Sequence, residues 1–428
     1  MLPETPRVFL GTADTASSLS ALAEGFRALG CPTTTMVKRH EIYAPETQYD
    51  YVRGKDLLKV FPYESAPRLA RAIGWRMDAV LGLALNGLTT PAYLDHDVFI
   101  FILEPWAPRN LLFPLLKRLG KTIVIYYLGS DVRHVSAYSQ EFGLDATLWG
   151  PAYNKADPLD PKVRRIRTDE LWADLVYSVP DQAGLQIRPY YHAFAPVAVD
   201  IERHTHARKV PKILHAPSRP EIKGTSFIVK AVEQLRREGL EFEFQILTGV
   251  PRTTVIEAVK DADIIVDELY VHGPAALSAE GMAAGAAVAT RIIEPPYPFF
   301  DPPVCAIRPD TVTDGLRRLI TDLPYRLDLA NRGHEWRRET FDPTRIARDM
   351  LRHLRGEVPP QYTPRFYLES YRPKPLLSRT SRELSLRVAQ RFRPDAEDVF
   401  RDAARRGVIA DTHRPRRSGL SALSRSRV

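Results

Sequence analysis

The chain has 428 residues, 44% apolar and 26% charged, a balance that excludes a disordered or fibrous protein for most of its length. Its net charge of +8 is unevenly placed: from Arg372 onward 14 Arg and 1 Lys face 6 acids, a surplus of +9, while the 371 residues before it balance to −1. Two cysteines, Cys31 and Cys305, are too few for a disulfide framework or a structural zinc site, and no run of about 18 apolar residues suggests a spanning helix.

The opening MLPETPRVFLGTAD lacks the basic stretch and apolar core of a secretory leader, so the cytoplasm is the expected compartment. Arg7 to Leu10 reads as a strand that breaks at Gly11. Leu19, Leu22, Ala23, Phe26 and Leu29 then recur at helical spacing and stop at Gly30. Strand, glycine loop and helix open a Rossmann-like unit. Thr33 to Val37 is the next strand. The apolar runs Asp97 to Leu103 and Thr122 to Leu128 predict strands buried on both faces, with an amphipathic helix over 110–119 between them. A turn at Gly129-Ser130-Asp131 follows, and a helix-to-strand step is predicted over 171–178.

A second series starts at the strand Lys212 to Ala216. It continues through a helix over 226–237, a strand over 242–247 and a helix over 253–260. A strand over 263–267, a helix over 275–284 and a strand over 287–290 come next. Helices over 312–323, 325–340 and 343–354 close it, the last capped by Asp342. This alternation predicts an α/β protein with two parallel sheets. We divide it into residues 1–195, 196–355 and a Pro/Arg-rich extension, 356–428, whose final 22 residues have the composition of a disordered tail.

Ligands in open α/β sheets bind beyond the carboxyl ends of the strands, which directs attention to the loops there. His215-Ala-Pro-Ser-Arg-Pro-Glu-Ile-Lys-Gly224 places Arg219 and Lys223 between a strand and a helix. Two cations beside helix N–H groups suit a diphosphate; two ordinary surface bases are the plainer reading. Glu280, expected in the first turn of a small-residue helix, either answers the helix dipole or accepts from a pair of sugar hydroxyls.

The loop around Arg219 and Lys223, the pairs Ala262-Asp263 and Val266-Asp267, and Ala279-Glu-Gly-Met-Ala-Ala-Gly285 resemble, in order and spacing, the nucleotide-binding domain of GT-B glycosyltransferases of the large retaining family four. Gly129-Ser-Asp-Val-Arg133 and Arg118-Leu-Gly-Lys121 extend the resemblance more weakly into the first half. It implies a GT-B fold, two Rossmann-like domains facing across a cleft. The donor, a nucleotide-diphosphate sugar, would lie on the second domain, and a glycan or lipid-linked acceptor on the first. Glu280 would contact the donor ribose, Arg219 and Lys223 the diphosphate, and Gly11 the loop near the phosphates, with Gly249 also on the donor side. Asp131 and His272 are the candidate catalytic positions. Such retaining enzymes attack from the front face, need neither metal nor cofactor, and would serve polysaccharide biosynthesis.

The sequence departs from the family pattern at His272, where the first glutamate is expected, at Leu128, where a histidine is common, and at Ala287, in place of proline. A GT-B protein that binds a nucleotide or glycan without turnover, as a partner or scaffold subunit, is the alternative. The basic tail suggests contact with an anionic membrane surface. Its scarcity of aromatics, Phe392 and Phe400, argues against a specific nucleic-acid site. The Asp261/Asp263 and Asp95/Asp97 pairs mimic metal-site spacing but precede strands, and capping is the expected role there. His134, His192 and His215 are expected to be structural.

Overall fold

The apolar runs form strands covered on both faces, which only a sheet buried between helices provides. The computed structural model describes residues 2–38, 40, 47–52, 95–103, 105, 109–134, 159–179, 185–197, 201–204, 207–292, 301–360 and 398. The tail from Arg372, apart from Asp398, lies outside these residues.

The first half holds seven parallel strands: β1 (Val8–Thr12), β2 (Thr33–Val37), β3 (Tyr51–Val52), β4 (Val98–Ile102), β5 (Thr122–Tyr127), β6 (Leu175–Ser178) and β7 (Tyr191–His192). Their order is β3-β2-β1-β4-β5-β6-β7, so the strand order reverses between β1 and β4, which pair from Val8↔Val98 to Thr12↔Ile102. Phe9, Phe99, Phe101 and Phe113 fill one face; Leu10, Leu22, Phe26 and Tyr126 fill the other. Among the described residues, three helices flank the sheet: α1 (Ser18–Ala28), α2 (Arg109–Arg118) and α3 (Leu159–Trp172).

The second half holds β8 (Lys212–His215), β9 (Glu243–Ile246), β10 (Ile264–Val266), β11 (Ala287–Thr290) and β12 (Cys305–Ala306), all parallel, in the order β12-β11-β10-β8-β9. Here the order reverses between β8 and β10. The helices are α4 (Pro220–Lys223), α5 (Thr225–Arg237), α6 (Arg252–Asp261), α7 (Ala276–Ala284), α8 (Val312–Thr321), α9 (Leu323–Thr340) and α10 (Pro343–Leu354). Residues 277–284 of α7 are all buried. Its small side chains allow that closeness: a Cβ on Gly281 would stand 2.4 Å from Ile265 Cγ1.

Four expectations need correction. First, β1 does not break at Gly11; it runs on to Thr12, and Gly11 fits beside the Phe9 ring and the Met36 carbonyl, where a Cβ would come within 2.9 and 3.3 Å. Second, the helix before β6 starts at Leu159, not near 171. Its buried side includes Lys162, Arg167, Asp169 and Glu170, so no apolar period announces it. Third, the predicted 226–237 helix is preceded by a separate turn, α4. Gly224 divides the two at φ +76°, a left-handed conformation that costs glycine little. Fourth, α10 does not stay with the second sheet. Ile346, Ala347, Met350 and Leu351 join the core of the first around Leu22 and Phe26.

Between the halves, Phe194 and Val197 pack with Ala279 and Phe341, and Val197 N–H donates to the Phe341 carbonyl at 3.3 Å. No described helix is long and apolar enough to cross a membrane.

Candidate functional site

On the first sheet, the Asp14 carboxylate accepts from Leu19 and Ser20 N–H at 2.9 and 3.2 Å and from the Tyr49 hydroxyl at 3.0 Å. The start of α1 is therefore occupied by the chain's own carboxylate. Beyond β5, Asp131 accepts from Leu128 N–H at 3.1 Å and Gly129 N–H at 2.8 Å. Burial raises its pKa, against the pull of those amides and of Arg165. From α3, Lys162 Nζ donates to the Ser130 and Arg133 carbonyls at 2.7 and 2.5 Å, and Arg165 donates to the Asp131 carbonyl. The buried charges of α3 thus clamp the 129–133 turn from below.

On the second sheet, His215 ends β8. Its Nδ1 lies 2.8 Å from the Val266 carbonyl and its Nε2 2.8 Å from Thr225 Oγ1. The neutral tautomer that fits donates from Nδ1 and accepts at Nε2. Burial pushes its pKa down to about 4, only partly countered by the Val266 carbonyl. This histidine is structural, as expected.

Lys223 does not stand open toward a diphosphate. Its ammonium is 2.7 Å from Asp267 Oδ1 and also donates to Glu268. Burial works against its charge, yet the two carboxylates hold its pKa above the ordinary value. Asp267 in turn accepts from Ser278 Oγ at 2.6 Å and Ser278 N–H at 3.3 Å, which joins Lys223 to the first turn of α7. Burial opposes ionisation of Asp267, but Lys223 and Ser278 bring its pKa below the usual range. Glu268 goes the other way: burial and the Asp267 charge raise its pKa more than Lys223 and Arg133 lower it. Arg219, at the start of α4, is exposed.

Glu280 lies in the second turn of α7, since the helix starts at Ala276; the dipole reading of a first-turn acid does not apply. Its Oε1 is 2.6 Å from Nη2 of Arg252, with the carboxylate 4% and the arginine 19% exposed. Arg252 opens α6, just after Gly249, which turns the chain at φ +67°. Arg252, at the end of the loop after β9 that strand order marks as a candidate but not singled out within it, thus joins the neighbourhood of Gly249 to Glu280.

The halves meet around β10. His272 is buried in the loop after that strand and faces His192 on β7, whose pKa is pushed down to about 3 by burial first and by the neighbouring His272 second. Arg133, from the turn beyond β5, acts on Glu268 in the same way. The structure thus gathers Asp131's turn, His272, Lys223 and Glu280 around loops at the carboxyl ends of the strands. Gly11 differs, lying within a strand rather than in a loop.

Scans of the sequence find no matching protein-family profile and no similar curated protein. Solved structures do match. Anabaena HepE, in complex with UDP-glucose, aligns at 10% identity over 82% of this chain and 99% of its own, with a TM-score of 0.50. WaaG, a glycosyltransferase involved in lipopolysaccharide biosynthesis, gives 12%, 82%, 99% and 0.50. The catalytic domain of starch synthase IV from Arabidopsis thaliana, bound to ADP and acarbose, gives 10%, 81%, 98% and 0.51. The chain has the GT-B fold.

Several partners of the expected residues were not singled out from the sequence. Asp267 and Arg133 belong to motifs named above, but the pairing of Asp267 and Glu268 with Lys223, and of Arg252 with Glu280, spans tens of residues and has no local signal. Asp261 and Asp263 lie at the opposite, amino end of the second sheet. Asp263 caps Lys212 N–H at 2.8 Å and pairs with Arg208 at 3.0 Å, and Asp261 holds Lys212 Nζ at 2.8 Å. Similarly, Asp97 accepts from Arg7 N–H at 2.9 Å. Both Asp pairs serve strand starts.

Proposed function

We propose that this protein is a glycosyltransferase that moves a sugar from a nucleotide-diphosphate donor to a glycan or glycoconjugate with retention. The observation that carries this reading is Glu280: a buried carboxylate on a helix of small residues, at the ligand-binding end of a GT-B sheet. An ionised carboxylate accepts from both hydroxyls of a ribose. The UDP-glucose complex of HepE and the ADP complex of starch synthase IV support a nucleotide there.

In this reading Arg219 neutralises the diphosphate with N–H groups of α4 and α5, and Gly249 keeps the donor side open. Lys223 acts through Asp267 and Glu268, fixing the loop after β10 and the first turn of α7. His272 approaches the transferred sugar, and the Asp131 turn faces the acceptor. Catalysis is then positioning and charge stabilisation, independent of metal and without an enzyme nucleophile. We further propose a lipid-linked or polysaccharide acceptor, reached at the cytoplasmic face of a membrane through the basic tail.

The test is a calorimetric panel of UDP, ADP and GDP, followed by donor turnover. We expect one diphosphate to bind, adding about 2.7 kcal/mol of stability at a hundredfold excess over its Kd. Its 2′-deoxy form should bind roughly tenfold more weakly, and Glu280→Gln should discriminate less between the two. Equal binding of both sugars by the wild type removes Glu280 from the ribose; no binding at all removes the donor site.

A further inference from the structure

Lys223, in the segment after β8, and Glu268, in the loop beyond β10, flank the point where the strand order of the second sheet reverses. Open α/β sheets take their ligands at that point. The Glu268 backbone is pinned there: its N–H donates to Thr290 Oγ1 at 3.4 Å, and its carbonyl accepts from Arg291 N–H at 2.7 Å. The side chain is only 10% exposed, and its Oε1 accepts from the Lys223 ammonium. Its Oε2 is covered and has no hydrogen-bond partner among the described residues. A covered carboxyl oxygen is unfavourable until something bonds it.

The surrounding charges select what can bond it. Lys223 and, from the first half, Arg133 act on the carboxyl as cations, and Asp267 acts as an anion. An ammonium or guanidinium ligand would meet two like charges there, and a phosphate would meet Asp267 and Glu268 itself. A hydroxyl is neutral. It both donates and accepts, so it satisfies Oε2 whether the carboxyl is ionised or protonated. Burial and Asp267 raise the Glu268 pKa more than the two cations lower it, as suits a carboxyl short of donors.

We propose that Glu268 is a specificity-determining residue whose Oε2 bonds a hydroxyl of the transferred sugar while Lys223 holds Oε1. The proposal rests on the glycosyltransferase reading and names the group that tells a sugar-bearing donor from the bare diphosphate. The sugar reaches it where the two halves meet, since Arg133 comes from the first. Titration calorimetry on the full chain compares UDP, ADP and GDP with UDP-glucose, ADP-glucose and GDP-mannose, and the pair that the wild type binds is carried forward.

Glu268→Asp keeps the charge beside Lys223 and withdraws the oxygens by one methylene. It should weaken the nucleotide sugar roughly fivefold and the matching diphosphate much less. Glu268→Gln keeps the length and loses the charge. Its amide oxygen can take Lys223 and its NH2 the hydroxyl, so its loss should be smaller than that of Glu268→Asp. Equal losses for sugar and diphosphate, a larger loss in Glu268→Gln than in Glu268→Asp, or no loss in either overturns the proposal and leaves the nucleotide site standing. Deoxy analogues of the same sugar test it without a variant. On the wild type one position should cost a similar factor, and that position should cost little more in Glu268→Asp; a series with no sensitive position overturns the proposal. If the wild type binds none of these ligands, the glycosyltransferase reading fails and the proposal falls with it. Thermal unfolding checks that each variant is folded at the temperature of the titration.

Discussion

The two ends of the second sheet carry similar residues in opposite circumstances. At the amino end, Asp261 is 53% exposed beside Arg208 and Lys212. At the carboxyl end, Asp267 is fully covered beside Lys223, and Glu280 is nearly so beside Arg252. Water screens the first set, and such pairs contribute little to stability. Burial isolates the second set, so each charge there depends on a particular partner. A carboxylate motif alone does not distinguish these pairs; burial does, and it sets Asp261 apart even from Asp263, which is covered beside Arg208 at the same end.

The largest expected effect comes from breaking the covered end. Lys223→Met leaves Asp267 and Glu268 buried without their cation and should destabilise the protein by about 3–5 kcal/mol. Urea unfolding would show it as a lower midpoint at unchanged slope. A loss under 1 kcal/mol would mean that the carboxyl end behaves like the amino end.

Next in size is the acid response of His215, also at the covered end. The unfolded chain protonates this histidine below about pH 6.5, whereas the folded protein resists until about pH 4. Its stabilising contribution is therefore complete above pH 6.5 and declines as pH falls toward 4, on the order of 3 kcal/mol over that window. Denaturant midpoints across pH 4–7 should fall with acid, and His215→Gln should remove about one proton from the slope. An unchanged slope would show that the ring is solvated in the fold.

The smallest effect tests the amino end. Asp261→Asn should cost less than about 1 kcal/mol, and added salt should narrow even that difference. A larger loss would make the wet pairs as consequential as the buried ones.

The same contrast explains what could be read from sequence. Val98–Ile102 and Ile264–Val266 were legible because continuous apolar runs have one common use in an α/β chain. Helix 159–172 was missed at its start because its buried side is charged, and the periodicity argument sees only apolar faces. Two-residue strands such as Tyr191–His192 carry no pattern at all. At the site, Lys223 and Glu280 were visible through loop position and helix context. Their partners were not, because Arg252 and Glu280 are brought together by the packing of α6 on α7 rather than by any local spacing. The commitment of Lys223 to Asp267 and Glu268 likewise appears only when α4 meets the end of β10.

Helix α10 ties the chain's later half to its beginning. Gly25 of α1 lies so close to Pro343 that a Cβ would come 2.2 Å from its carbonyl oxygen, and Tyr191 donates to the Val358 carbonyl at 2.8 Å. The polypeptide therefore passes between the two halves twice, once near Val197 and once near Phe341, and these crossings touch each other. They make the first half an incomplete folding unit by itself. A fragment cut at residue 195 would leave Leu22 and Phe26 without the Ile346–Leu351 face that covers them, so the first sheet's core is closed only by a segment some 150 residues downstream of that cut.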